Sequence, residues 1–184
     1  MVRLCSSSPT RASILREHGV DFIQSKVDFD EESLPYTNGA HFVYHASKGK
    51  MSSALNLYGV EEMPLLTADT VVVSEDGEIL RKAGDEDEAY RILERLSGSA
   101  ISIVTSLHFH SKGGIFSDLS STGYEFSTFE SSDVERYIRS GEWRGKAGAC
   151  MVEGFCKKYI TSFRGLESTA MGLQIERLIP WLNL

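Results

Sequence analysis

The chain has 184 residues and a formal net charge of −7, long enough to bury a core without staples and too acidic to offer the basic stripe that a nucleic-acid polymer demands. Its three cysteines, Cys5, Cys150 and Cys156, are odd in number and lack metal-ligand spacing, which points to a reduced, cytoplasmic setting. No apolar run approaches the roughly 18 residues of a membrane span, so the expectation is a soluble protein with no membrane partner, residues 1–184 forming one domain.

Val2, Leu4 and Cys5 read as a short strand, and Ala12, Ile14 and Leu15 recur at helical spacing up to Gly19. Between them, Ser8 stands where an N-cap belongs and Pro9 takes the first helical position. A helix is expected around Val43 to Tyr58 within a mixed region that begins at Phe22. Leu65 to Val73 reads as a buried strand, followed by Asp76-Gly77, a pair that type I′ hairpins favour, and a return strand through Ile79 and Leu80. Asp85 and Glu88 form a capping-box start for a helix carrying Ala89, Ile92, Leu93 and Leu96 and ending near Gly98. Ala100 to Phe109 and Ile115 to Phe129 read as strands turned by Gly113-Gly114. Ser132 and Glu135 open a further capped helix that Gly141 closes. Helices alternate with strands throughout, so the class is α/β with a long mixed sheet.

Several residues do not fit a purely structural reading. The strand-loop-helix junction "CSSSPTRASIL" aims unpaired N–H groups, hydroxyls and Arg11 at one mouth, a physical description of an anion site as well as of an ordinary capped helix. A small polyanion needs only a few cations focused in a cleft, which an acidic chain can supply. Asp69 interrupts the apolar "LLTADTVVV", where an unpaired carboxylate would cost several kcal/mol, so it must meet a cation, a metal or several donors. Lys82 returns from the hairpin toward the same strand. The acidic run Asp28 to Glu32 reads either as a solvated loop or as hard oxygen ligands for a divalent cation. Lys48 and Lys50 lie on the helix after it, as surface lysines or phosphate ligands. His108 and His110 share one face of a strand, but no third metal ligand accompanies them.

Taken together, "LCSSSPTRASIL", "DEES", "ADTVV" with "ILRK", "RLSG", "SGEWRGKAGA" and "VEG" resemble, in order and approximate spacing, the Maf family of nucleoside triphosphate pyrophosphatases. The resemblance implies an elongated α/β fold related to the inosine triphosphate pyrophosphatases, with two lobes around a nucleotide cleft. It also implies a divalent cation, Mg²⁺ or Mn²⁺, a homodimer and a link to cell-division arrest. By position, Ser6 and Arg11 match the family's loop, Glu32 its acidic segment, Asp69 its catalytic carboxylate and Lys82 its lysine after the hairpin. The resemblance implies Asp69 and Glu32 as the metal ligands, Arg11, Lys50 and Lys82 as the phosphate-binding cations and Glu153 as the reader of the base. Lys50 is the ungapped match to its helix lysine, with Lys48 as the alternative.

Two positions depart from the pyrimidine-nucleotide branch: Thr10 replaces the first of two arginines and Glu153 replaces a glutamine. A carboxylate only accepts hydrogen bonds, which suits the paired N–H donors of guanine, and glutamate here is similar to the branch acting on 7-methyl-GTP. That branch carries an aromatic residue where this chain has Thr10, leaving the base open. The expected activity is metal-dependent attack of water on the α-phosphorus of a nucleoside triphosphate, giving the monophosphate and pyrophosphate. The alternative is a nucleotide-binding regulatory module with little turnover.

Overall fold

The computed structural model describes residues 1–182. Seven strands form one sheet in the order β2-β1-β3-β5-β6-β7, with the short β4 paired to β3. In chain order the elements begin with β1 (Val2–Cys5), α1 (Pro9–Glu17), β2 (Phe22–Ser25), α2 (Gly39–Tyr58), β3 (Leu65–Ser74) and β4 (Ile79–Leu80). There follow α3 (Glu86–Leu96), β5 (Ala100–Ser111), β6 (Gly114–Phe126), α4 (Ser131–Ser140), β7 (Ile160–Arg164), α5 (Glu167–Ala170) and α6 (Ile175–Leu178). β1 runs parallel to β2 and β3, and the remaining pairs are antiparallel. No helix among the described residues is long and apolar enough to cross a membrane.

β3 is covered on both faces, and its side chains alternate between them. Thr67, Asp69 and Val71 face α2, where Thr67 Oγ1 donates to the Ser47 carbonyl at 2.8 Å and Val71 packs with Phe42 and Val43. Leu66 and Ala68 pack with Leu15 of α1 on the other face, and Val72 joins the core under α3 and α4 with Leu93, Tyr137 and Trp143. This two-sided burial explains the continuous apolar run of "LLTADTVVV". β6 instead alternates between half-buried and exposed residues over Gly114 to Ser121, as a strand with one solvated face does.

The register creates a gap beside β3. β1 pairs with it only at Leu65 and Leu66, and β4 joins only at Val72 and Val73. From Thr67 to Val71, β5 bonds one edge, while the other has no strand partner among the described residues. That opening lies just beyond the carboxyl end of parallel β1, where open α/β sheets place their ligand crevices.

Several local expectations need correction. The β3–β4 hairpin is a type I turn with a bulge: the Gly77 N–H donates to the Ser74 carbonyl at 2.9 Å, and Gly77 alone in the turn has positive φ, +87°. Asp76 therefore serves as a second central residue, not as the first half of a type I′ pair. α4 starts at Ser131 after Glu130, with no side-chain cap bond, and Glu135 pairs with Arg139 one turn on. α2 begins at Gly39, capped by the Asn38 side chain, and β6 ends at Phe126. β2 was hidden in the mixed region because its Ile23 and Gln24 stay exposed at the sheet edge.

Candidate active site

The junction between β1 and α1 builds the first wall. Ser8 caps α1 by accepting from the Arg11 N–H at 3.3 Å, and its own N–H donates to Ser6 Oγ at 3.2 Å. Arg11 is buried, and each of its three nitrogens makes one hydrogen bond, which leaves one N–H on each terminal nitrogen. Its Nε donates to the Gly172 carbonyl at 2.8 Å, one terminal nitrogen donates to Ser6 Oγ at 3.0 Å and the other to Thr70 Oγ1 at 3.0 Å. Ser6 Oγ thus accepts twice and keeps its proton free to donate into the mouth. Thr105 spends its proton on the Thr169 carbonyl at 2.7 Å, so Thr70 must donate to Thr105 at 2.9 Å. This buried relay ties α1, β3, β5 and the turn at Gly172 together. Burial loosens Arg11's hold on its proton, and the Asp69 and Glu31 charges oppose that shift.

The second wall centres on Lys50. Its Nζ lies 2.6 Å from Asp69 Oδ1 and 2.5 Å from Glu31 Oε1. Asp69 is buried, and its Oδ2 has no hydrogen-bond partner. Burial drives the Asp69 carboxyl above the usual range against the pull of Lys50, with Glu31 adding to the rise and Arg11 opposing it. Glu31 moves the opposite way. Burial also pushes it upward, but Lys50, Lys82 and Arg11 together hold it below its ordinary value. Lys50 thus bridges two carboxyls, one from the acidic segment and one from β3.

Lys50 falls on the buried stripe of α2, in line with Val43, Ala46, Ser47, Met51 and Ala54, whereas Lys48 lies off it and rests 5.7 Å from the Tyr44 ring centre. Glu32, the residue matched to the acidic segment, is exposed and ion-pairs with Arg81, so the neighbouring Glu31 takes the inward place. Burial alternates along this segment, with Val27, Phe29 and Glu31 half-buried and Asp28, Asp30 and Glu32 exposed, and the Phe29 ring rests on α2 at Gly49.

Lys82 and Glu153 stand on the remaining side of a cleft of about 800 Å³, which Ser6, Thr10, Arg11, Glu31, Glu32, Lys50 and Asp69 also line. Lys82 forms a β-bridge with Ala147, and Glu153 Oε1 lies 3.1 Å from Lys146 Nζ. The sequence reading held Glu31 only as one member of the acidic run, and it did not single out Lys146 or Thr70. The helical stripe and the lone aromatic in the acidic run were the available signals for the Lys50–Glu31 arrangement. Nothing local marked Lys146.

Among the described residues, no three His, Cys, Asp or Glu side chains gather into a preformed metal cage. The donors present still fit Mg²⁺ or Mn²⁺ in the way nucleotide enzymes hold such ions, through one or two carboxylates plus the substrate's own phosphates. The unpartnered Asp69 Oδ2 is the structural sign of that fit. His108 is not part of it: its Nδ1 bonds Ser117 Oγ at 2.7 Å and its ring leans on Tyr44.

The profile of the Maf-like protein family matches residues 1–184. The "Nucleoside triphosphate pyrophosphatase" of a Nitratiruptor species is 54% identical over 180 residues, covering 97% of this chain and 96% of that one. The protein of the same description from Helicobacter pylori (strain G27) is 38% identical over 98% of this chain and 94% of its own. The "dTTP/UTP pyrophosphatase" of Pseudoalteromonas translucida (strain TAC 125) is 33% identical over 95% of this chain and 91% of its own. Among solved structures, the Staphylococcus aureus Ham1 protein aligns with a TM-score of 0.49 and 12% identity over 68% of this chain and 71% of its own. With the cleft, the family's residue pattern and full-length relatives in agreement, this chain belongs to the Maf family.

Proposed function

We propose that the chain hydrolyses nucleoside triphosphates to the monophosphate and pyrophosphate, with water attacking the α-phosphorus. The observation that carries this reading is the Asp69 carboxylate, held at Oδ1 by Lys50 with Oδ2 unpartnered, in the gap along β3. In this reading Asp69 Oδ2 takes the proton of the attacking water. Lys50 fixes the carboxylate's orientation, and Glu31 keeps Lys50 in place from the other side. The free N–H groups at the start of α1, the Ser6 hydroxyl, Arg11 and Lys82 bind the phosphate oxygens and neutralise the charge that phosphoryl transfer builds.

A divalent cation held by Asp69 and Glu31 would supply charge neutralisation and acidify the bound water. Glu153 lies along the cleft from this cluster, in position to meet the base. A homodimer in the cytoplasm, as the resemblance implies, belongs to the same proposal.

Incubation with a panel of triphosphates and Mg²⁺ or Mn²⁺ in ¹⁸O-water tests it. Pyrophosphate release with label in the nucleoside monophosphate is expected. Label in pyrophosphate, or nucleoside diphosphate and orthophosphate as products, overturns the attack at the α-phosphorus.

A further inference from the structure

Glu153, which the proposed function sets against the base, does not stand alone in the cleft. Lys146 Nζ lies 3.1 Å from Glu153 Oε1, each side chain is 27% exposed, and both line the cleft. The loop that carries them is tightly fixed. Ala147 bridges to Lys82, and the Gly148 N–H donates to the Arg81 carbonyl at 3.0 Å. Gly148 has φ +57°, and a β-carbon there would lie 2.9 Å from Val72 Cβ, so only glycine lets the loop seat against β3. Ala149 next to it has φ +47°, the one positive φ outside glycine among the described residues. Its carbonyl accepts from the buried Tyr137 hydroxyl at 3.0 Å. Backbone strain held by such contacts is what a site needing fixed side-chain positions exhibits.

We infer that Lys146 is a second base-selecting residue, and that Lys146 and Glu153 together read a ring carbonyl beside a ring N–H. This deepens the pyrophosphatase reading and rests on it. A free carboxylate accepts from any N–H and so would favour guanine, with its adjacent donors, over uracil. With Lys146 occupying Oε1, the pair instead presents an ammonium donor next to the remaining carboxylate acceptor. The complementary edge is C=O beside N–H, found as O6 and N1–H in guanine and as O4 and N3–H in uracil and thymine. Adenine and cytosine carry an amino group in place of that carbonyl and an unprotonated nitrogen in place of that N–H. With the base held in one orientation by its triphosphate, they set donor against donor and acceptor against acceptor. Mismatches of this kind leave hydrogen-bonding groups unpaired in the complex and so support discrimination.

Steady-state kcat/KM for GTP, UTP, ATP and CTP tests the inference in the wild type and in Lys146→Met, Lys146→Arg, Glu153→Ala and Lys146→Met/Glu153→Ala. The wild type should prefer GTP and UTP over ATP and CTP by about tenfold or more. Lys146→Met should bring the four within about threefold of one another, chiefly through KM, while Lys146→Arg keeps most of the preference because a donor remains. The double variant should be no less selective than either single variant, since the two side chains act as a unit. Equal losses on all four nucleotides in Lys146→Met, at unchanged melting temperature, would make Lys146 a phosphate or structural group and overturn the inference, as would a wild-type preference for ATP or CTP. No pyrophosphate from any nucleotide in the wild type is a separate result, which overturns the pyrophosphatase reading itself.

Discussion

Gly49→Ala should damage activity while sparing stability, because one methyl group separates the Glu31 loop from α2. A β-carbon at Gly49 would lie 2.8 Å from Cδ2 of Phe29 and closer still to Cε2 and Cζ. Carbon atoms in contact sit about 3.5 Å apart or more, so the ring has to retreat by roughly 1 Å. Phe29 is only half-buried, and the contact it loses is offset by the roughly 1 kcal/mol that alanine gains over glycine inside a helix. The melting temperature should therefore stay within about 4 °C of wild type. Glu31, two residues along, is carried away from Lys50, and Lys50 is what orients Asp69. Misplacing a reacting group by about 1 Å costs up to about 10²-fold, so kcat/KM should fall by roughly 10- to 100-fold. Phe29→Ala should do the same, and adding Gly49→Ala to it should cost nothing more. Wild-type kcat/KM in Gly49→Ala would refute this reasoning, showing that the ring swings out on its own torsion while the ion pair alone holds Glu31.

Asp69→Asn should lower turnover by about 10³-fold or more, since the amide keeps the shape and loses the basic oxygen. Its melting temperature should not fall; a correctly folded Asn variant with near-normal turnover removes Asp69 from the chemistry. Lys82→Ala should reduce kcat/KM by about 10²-fold, the scale for deleting one preorganised stabiliser of developing charge, and an unchanged value would detach the 82–147 bridge from the site. Burial pushes the His108 imidazole from 6.5 down to about 4, so between those values the unfolded chain binds more protons than the folded one. Stability should then fall as pH drops through this window, by roughly 3 kcal/mol in all, and His108→Gln should flatten the melting profile there; identical profiles would mean that the ring is not held neutral.

Much of the fold was legible because its punctuation is local. Ser8-Pro9, the Asp85–Glu88 pair and the glycines at 19 and 141 start or end helices through bonds with near neighbours. Asp69 stood out for an equally local reason, a carboxylate in a run of apolar residues that had to be buried on both faces. The elements that escaped depend on distant partners. β2 reads as polar because its exposure is set by its place at the sheet edge, and the turn type at Gly77 depends on where β4 pairs with β3.

The two glutamates show the limit most clearly. In sequence, Glu31 and Glu32 are chemically identical neighbours, and family spacing assigned the site to Glu32. The fold separates them: without a β-carbon on Gly49, Phe29 docks against α2, and the half-buried Glu31 meets Lys50 while Glu32, at the cleft's exposed rim, pairs with Arg81. Removing Glu31 should therefore disturb Asp69 as well, because Lys50 bridges both carboxylates at 2.5 Å and 2.6 Å. Glu32 touches Asp69 through no such link, and its ion pair, with the Glu32 side chain 77% exposed, falls in the class of surface pairs worth about 1 kcal/mol or less. One position in the chain separates the carboxylate that meets Lys50 from the one that pairs with Arg81.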